Sequence, residues 1–180
     1  MVEAEEHIIE SAKRGEAQAF GVLYTTYVAP MYRFIALKVP TKQEAEDLTH
    51  EVFVSAWDNI KRYKKRGNPF SSWLYSIARN KVIDHYRTRH SHLALDTIRE
   101  ETVGYDAMIA ESLDQEFKGK TVREAMRRLS EEHQTVIILR FIEDLSPKEI
   151  AKIMKKSEGA IRVAQHRAIQ SLKRLLNTNL

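Results

Sequence analysis

SPKEIAKIMKKSEGAIRVAQHRAIQSLKR, residues 146–174, contains two helix starts separated by one tight turn. Ser146, Pro147 and Glu149 form a capping box. The serine hydroxyl accepts from a backbone N–H that the first helical turn leaves unpaired, and the glutamate three residues on reaches back to the cap. Proline suits the first helical position, because its missing N–H has no intrahelical partner there and its φ is already set. This helix is predicted to end near Met154. Lys155-Lys156-Ser157 makes a short turn, and Ser157 caps a second helix running to about Leu176. A short helix, a tight turn and a longer helix make the helix-turn-helix plan.

Projection of the second helix at about 100° per residue separates two faces. Ile161, Ala164, Ala168 and Leu172 point inward, to pack with Ile150, Ala151 and Met154. Arg162, Val163, His166, Arg167, Gln170, Lys173 and Arg174 point the other way. The helix's single acid, Glu158, lies in the first turn, where the helix dipole favours it. A cationic face of this kind suits a DNA groove: arginine grips a guanine edge with two bonds and lysine neutralises phosphate. Arg162, Val163, His166 and Arg167 are placed for base edges. Lys155, Lys156, Ser157, Lys173 and Arg174 are placed for the backbone. The plainer reading is a solvated basic face on a packing helix. The capped turn and the clean split of the faces favour DNA.

Upstream, Thr121 with Glu124 reads as another capping box, Val122, Ala125, Met126 and Leu129 share one face, and residues 131–142 read as a further helix. Residues 120–180 therefore form one domain. Residues 93–119 lose the periodicity and lean acidic (Asp96, Glu100, Glu101, Asp106, Glu111, Asp114, Glu116). They read as a linker, with a short helix expected over 106–117.

Residues 1–92 form a second domain. Two helices are expected over 3–38, with a break near Gly15. Phe20, Leu23, Tyr24, Tyr27, Met31 and Phe34 recur at helical steps, Pro30 is expected to kink the second helix and Pro40 to stop it. Thr41 and Glu44 then cap a helix reaching Asn59. Its inward stripe is Ala45, Leu48, Val52, Phe53 and Ala56. Asp47, His50, Glu51, Val54 and Asp58 face outward, with Trp57 at the edge. An exposed valine and a half-exposed tryptophan on an acidic face suit a protein partner better than DNA. The alternative is a solvated acidic helix.

A basic loop follows over 61–69 (Lys61, Arg62, Tyr63, Lys64, Lys65, Arg66). The next helix, Phe70 to about Arg87, has the stripe Phe70, Trp73, Leu74, Ile77 and Val82. It also carries Tyr75 and Tyr86 alongside Arg79, Asn80, Lys81 and Arg87, with Arg89 just beyond. Cations interleaved with aromatics suit unpaired bases, which need neutralised phosphates and stacking surfaces. Phe70 and Trp73, on the apolar stripe, are expected in the core.

The 180 residues include only 6 glycines and 4 prolines, and no segment alternates apolar with polar. The fold class is all-α: two small helical domains joined by a flexible linker, the C-terminal one a helix-turn-helix. Net charge is only +4, so the placement of the cations matters more than their number. Absence of cysteine excludes disulfides and thiolate zinc sites and fits a reducing compartment. The acidic start, MVEAEEHIIE, is not a signal peptide, and no apolar stretch is long enough to insert into a membrane, so a cytoplasmic location is expected. His50-Glu51 lacks the second histidine of a zinc-protease helix. His85, His90 and His92 lie where the helix frays into the linker, with no evident carboxylate geometry for a metal, and there is no phosphate-binding glycine loop. No metal, no cofactor and no catalysis are expected.

Taken together these segments resemble sigma factors of the extracytoplasmic-function type. Glu44-Ala45-Glu46-Asp47-Leu48-Thr49-His50-Glu51-Val52-Phe53, then Ala56-Trp57, is similar to the family's polymerase-clamp-binding helix. Phe70-Ser71-Ser72-Trp73-Leu74-Tyr75-Ser76-Ile77-Ala78-Arg79-Asn80, then Asp84 and Arg87, is similar to its −10 segment. Leu129-Ser130, Thr135-Val136-Ile137, Arg140-Phe141 and the helix-turn-helix are similar to its −35 domain. The order and spacing of all three make the likeness specific. It implies a subunit that binds core RNA polymerase and directs initiation at promoters with −10 and −35 elements. Asp47, His50, Glu51, Phe53, Val54 and Trp57 would meet the polymerase. Lys61, Arg62, Tyr63, Lys64, Lys65, Arg79, Asn80, Lys81 and Arg87 would hold the melted −10 strand. Lys156, Ser157, Arg162, Val163, His166, Arg167, Lys173 and Arg174 would engage the duplex −35 element. The linker would thread toward the polymerase active-site channel. Many members are held inactive by an anti-sigma factor, which belongs among the expected partners. Ala160, where many members have threonine, and Val163 and Gln165 depart from the commoner pattern. The rival reading, a conventional helix-turn-helix regulator with a sensory N-terminal domain, leaves residues 61–89 unexplained.

Overall fold

The computed structural model describes residues 2–65, 69–93 and 120–177. All the regular structure among them is helical: α1 (Val2–Lys13), α2 (Ala17–Ala36), α3 (Lys42–Asn59), a 3₁₀ turn (Ile60–Arg62), α4 (Phe70–Leu93), α5 (Lys120–Arg127), α6 (Glu131–Ile137), a π-helical turn (Ile138–Ile142), α7 (Pro147–Met154) and α8 (Glu158–Asn177). The chain divides into two compact units. The first gathers α1, α2 to Ile35, α3 from Ala45, and α4; the second gathers Ala36–Glu44 with α5 to α8. Residues 36–44, which a division at the linker leaves in the N-terminal domain, group with the second unit. The linker and the helix expected over 106–117 lie outside the described residues, apart from Leu93, which closes α4.

In the first unit, α1 ends at a left-handed Gly15 with φ +92°, whose N–H donates to the Ala12 carbonyl at 3.0 Å. Only glycine adopts that conformation without a Cβ penalty. Pro30 lies within α2, which continues to Ala36 and stops short of Pro40. The Thr41–Glu44 box is formed: the Glu44 carboxylate accepts from the Thr41 N–H at 3.1 Å, and the Thr41 hydroxyl accepts from the Glu44 N–H at 3.2 Å. The core is strongly aromatic. Phe34 meets Tyr75 edge-on at 5.4 Å, and Phe70 meets Tyr63 and Trp73 at 5.3 and 5.4 Å. Phe70 is buried and Trp73 partly so, as their place on the stripe predicts. The Tyr27 hydroxyl donates to Glu5, which ties α1 to α2; burial first, then that carboxylate, pushes the phenol pKa up. Helix α4 extends past Arg87 to Leu93.

The second unit is built on capped starts. Ser130 accepts from the His133 N–H ahead of α6. Helix α5 begins at Lys120, so Thr121 falls inside its first turn and not at the cap. Residues expected to continue α6 to 142 instead form the π-helical turn. The Ser146 box is complete: its N–H donates to Glu149 at 2.8 Å, and its hydroxyl accepts from the Glu149 N–H at 3.3 Å. Lys155 ends α7 in the left-handed region, φ +54° and ψ +45°, and the Ser157 hydroxyl accepts from the Ala160 N–H at 3.2 Å to open α8. Ile150 and Ile161 are fully buried across the resulting seam. Lys38 is buried in this unit too; its ammonium donates to the Thr135 hydroxyl at 2.6 Å, with Glu131 at 3.5 Å. A charge is tolerated at such depth only when paired and hydrogen-bonded.

Replacing Ser146 by alanine removes a cap from α7 and frees Glu149. A loss of about 1 kcal/mol in unfolding free energy is expected, measurable by urea denaturation of the full chain.

Candidate nucleic-acid interface

Helix α8 divides as its sequence projects. Ile161, Ala164 and Ala168 are buried, and Leu172 is half-buried. Arg162, Val163, His166, Arg167, Gln170, Lys173 and Arg174 are exposed, as are Lys155, Lys156 and Ser157 in the turn ahead of them. Because the turn fixes α8 against α7, these side chains form one surface. Among its cations, Arg162 pairs with Glu158 at 2.7 Å, one helical turn back, and Lys156 pairs with Glu132 of α6 at 2.7 Å. Both pairs are solvent-accessible, and exposed pairs contribute only about 0–1 kcal/mol, so a phosphate or a base edge competes with them easily. Elsewhere in this unit, Val122, Met126, Ile137, Phe141, Ile169 and Leu172 line an apolar groove of about 560 Å³.

The first unit carries two surfaces. On α3, Asp47, His50, Glu51, Val54, Trp57 and Asp58 are exposed, with Val54 at 46% and Trp57 at 37%. Phe53 is buried. It sits edge-on to Tyr24 at 4.7 Å and near Phe20 at 6.5 Å, so it supports this face from beneath and is not part of it. On the second surface Lys61, Arg62, Lys64, Lys65, Asn80 and Arg87 are exposed, and Arg79 and Lys81 are partly so. Tyr63 is buried under the loop against Phe70 and Trp73, with the Lys13 ammonium 5.5 Å from its ring centroid. It is therefore unavailable for stacking on a base. Burial, then the Glu5 and Glu6 carboxylates, push its pKa up. Arg66 lies outside the described residues.

The structure adds residues that periodicity does not reveal. Tyr24, at 42% exposure, and Phe20 of α2 extend the apolar part of the α3 face, with Phe20 packing on Trp57 at 4.9 Å. Both lie on a helical stripe that reads as core; only the depth of packing shows that its first turns stay open. Glu6 of α1 pairs with Lys65 at 2.7 Å, and Glu51 of α3 with Lys81 of α4 at 3.0 Å. Among the described residues no three histidine, aspartate or glutamate side chains gather as a metal site, and no helix is long and apolar enough to cross a membrane.

Two family models match the chain, one over much of the first unit and across residues 36–44, the other within the second unit. Sigma-70 region 2 matches residues 23–92, and Sigma-70, region 4 matches residues 125–174. Over 174 residues the chain is 38% identical to the ECF RNA polymerase sigma factor BldN of Streptomyces coelicolor, covering 94% of this chain and 64% of that protein's length. Over 168 residues it is 31% identical to the ECF RNA polymerase sigma factor SigX of Bacillus subtilis, covering 87% and 83%. This chain belongs to the ECF RNA polymerase sigma factor family. The sigma factor RpoE of Bartonella quintana, solved in complex with the anti-sigma factor NepR, shares the fold at TM-score 0.69 and 20% identity over 89% of this chain and 98% of that one. In this sigma factor, region 2 holds the acidic–aromatic and basic surfaces, and region 4 holds the cationic face of α8.

Lys155 of this sigma factor holds a left-handed conformation that glycine adopts freely. Lys155→Gly is expected to raise the unfolding free energy by roughly 0.5–1 kcal/mol, the left-handed penalty less the added freedom of the unfolded chain. Lys155→Ala keeps the strained backbone and gains nothing; urea unfolding of the two variants makes the comparison.

Proposed function

We propose that this sigma factor binds core RNA polymerase and directs initiation at promoters by using three separate surfaces, with no catalysis of its own. The observation that carries this reading is the division of α8 into a buried apolar side and an exposed cationic side, set by a capped turn. Arg162, Val163, His166 and Arg167 read base edges of a duplex −35 element; Lys156, Ser157, Lys173 and Arg174 hold its phosphates. Lys61, Arg62, Lys64, Lys65, Arg79, Asn80, Lys81 and Arg87 hold the melted −10 strand, while Tyr63 supports the loop from the core. Asp47, His50, Glu51, Val54 and Trp57, joined by Tyr24 and Phe20, dock on polymerase, with Phe53 beneath them. An anti-sigma protein, present in the RpoE structure, is a further partner of this reading, which places the protein in the cytoplasm. A conventional regulator would have no use for a basic surface on α4 beside an acidic–apolar face on α3.

The decisive experiment is transcription in a purified system. Core polymerase plus this chain should start at a defined promoter where core alone does not, and failure to do so with every cognate-genome fragment would sink the reading.

Two variants separate the surfaces. Trp57→Ala should weaken association with core polymerase by about 2 kcal/mol, a typical value for a tryptophan anchor, while leaving the affinity of the full chain for a −35 duplex unchanged; fluorescence anisotropy measures both. Lys173→Ala should weaken duplex binding uniformly across sequences and flatten the slope of log K against log salt by about 0.9. Arg162→Ala should instead cost about 1–3 kcal/mol at one position and relax its base preference, which a salt titration on permuted duplexes distinguishes.

A further inference from the structure

Val163 departs from the pattern that governs the rest of α8. It is a β-branched apolar side chain on the solvent side of a helix, 51% exposed. Such a residue lowers helix propensity and here adds little to the core. Every other exposed residue of α8 is charged, polar, or no larger than alanine. Local choices that oppose the fold without a packing reason concentrate at functional positions.

Its surroundings define what it can meet. Helical spacing puts Ala160 one turn before Val163, and His166 and Arg167 one turn after it. Gly159 and Ala160 leave the first turn bare. A Cβ built on Gly159 meets no atom within 4 Å, so nothing in the fold requires a glycine there. That bare strip lets an outside surface approach the backbone closely and brings it against the valine methyls. The exposed cations Lys155, Lys156, Arg162 and Arg167 around the strip outnumber its one acid, Glu158, which pairs with Arg162, and select a polyanion. An apolar knob ringed by cations therefore calls for an apolar spot on a polyanion. The major groove of duplex DNA offers one kind, the 5-methyl group of a pyrimidine.

We infer that Val163 reads the 5-methyl group of a thymine, fixing that base at one position of the sequence on which α8 docks. The inference rests on the assignment of α8 to duplex DNA and adds a base identity beyond the hydrogen bonds that the neighbouring cations can offer.

The test uses the full chain assembled with core polymerase. Duplexes enriched from a randomised library serve as probes, and each thymine of the enriched sequence is replaced in turn by uracil, which keeps the base pair and lacks the methyl group. At one position uracil should weaken binding about fourfold, the equivalent of one buried methyl at about 0.8 kcal/mol. Val163→Ala should abolish that penalty and leave the other thymines unaffected. At the same position, 5-methylcytosine should bind more tightly than cytosine, which separates a methyl contact from a preference for A·T groove shape. Binding indifferent to uracil at every thymine, or a uracil penalty that persists in Val163→Ala, overturns the inference while α8 remains a duplex-binding helix. If no duplex is enriched, the assignment of α8 fails and the inference falls with it. If Val163→Ala binds every duplex as the parent does but loses affinity for core polymerase, the valine faces a protein.

Discussion

The turn between α7 and α8 is the constraint on which the cationic surface of α8 depends. Lys155 reverses the chain in a left-handed conformation, and within two residues the Ser157 hydroxyl has begun the next helix. With so few residues the angle and rotation of α8 leave little freedom. Ile161, Ala164 and Ala168 must then meet α7 and α6, and the cations are carried to the opposite side. A longer or glycine-rich turn would let α8 roll, and a roll of one residue turns the helix by about 100°. The strain at Lys155 is compatible with a site where a cation is wanted more than an easy turn.

In the first unit the corresponding constraint is aromatic packing. The ring centroids of Tyr63, Phe70 and Trp73 lie 5.3 to 5.4 Å apart, with Tyr63 edge-on to Phe70 and Trp73 tilted against both, and such packed rings hold their neighbours in a narrow range of orientations. This packing anchors a loop that has little secondary structure of its own, so Lys61, Arg62, Lys64 and Lys65 are displayed on a supported base. Phe53 does the same for α3: buried between Phe20 and Tyr24, it fixes the level at which Val54 and Trp57 emerge. Rigid support for an exposed anchor lowers the entropy lost on binding.

Much of this is legible in the sequence because helix starts are decided locally. Thr41 with Glu44, Ser146 with Glu149, and Ser157 each announce a helix within four residues, and each cap is formed. The faces of α8 are legible for the same reason, since a fixed rotation per residue converts spacing into direction. Depth is not legible. Phe53 falls on the inward stripe of α3, as read, whereas Tyr63 lies in a loop whose neighbours are exposed, and only the tertiary arrangement shows that the chain closes over it. The reverse holds for Tyr24, which follows a core-like period and stays 42% exposed. The π-helical turn after Ile137 and the grouping of residues 36–44 with the second unit also depend on packing between distant segments, which a local pattern does not encode.

The caps also bear on how the second unit comes together in time. Each of α6, α7 and α8 has its start fixed by a serine acting on a backbone group three residues away. Contacts this short in sequence form with little loss of loop entropy. Chains dominated by them have low contact order and cross their folding barrier on the microsecond to millisecond scale. The helix that presents the cations is thus specified from its own first turn, and its orientation follows from its immediate predecessor. The cationic face of α8 is set by contacts within this stretch, while Leu37 and Lys38, remote in sequence, close onto α6 from residues 36–44.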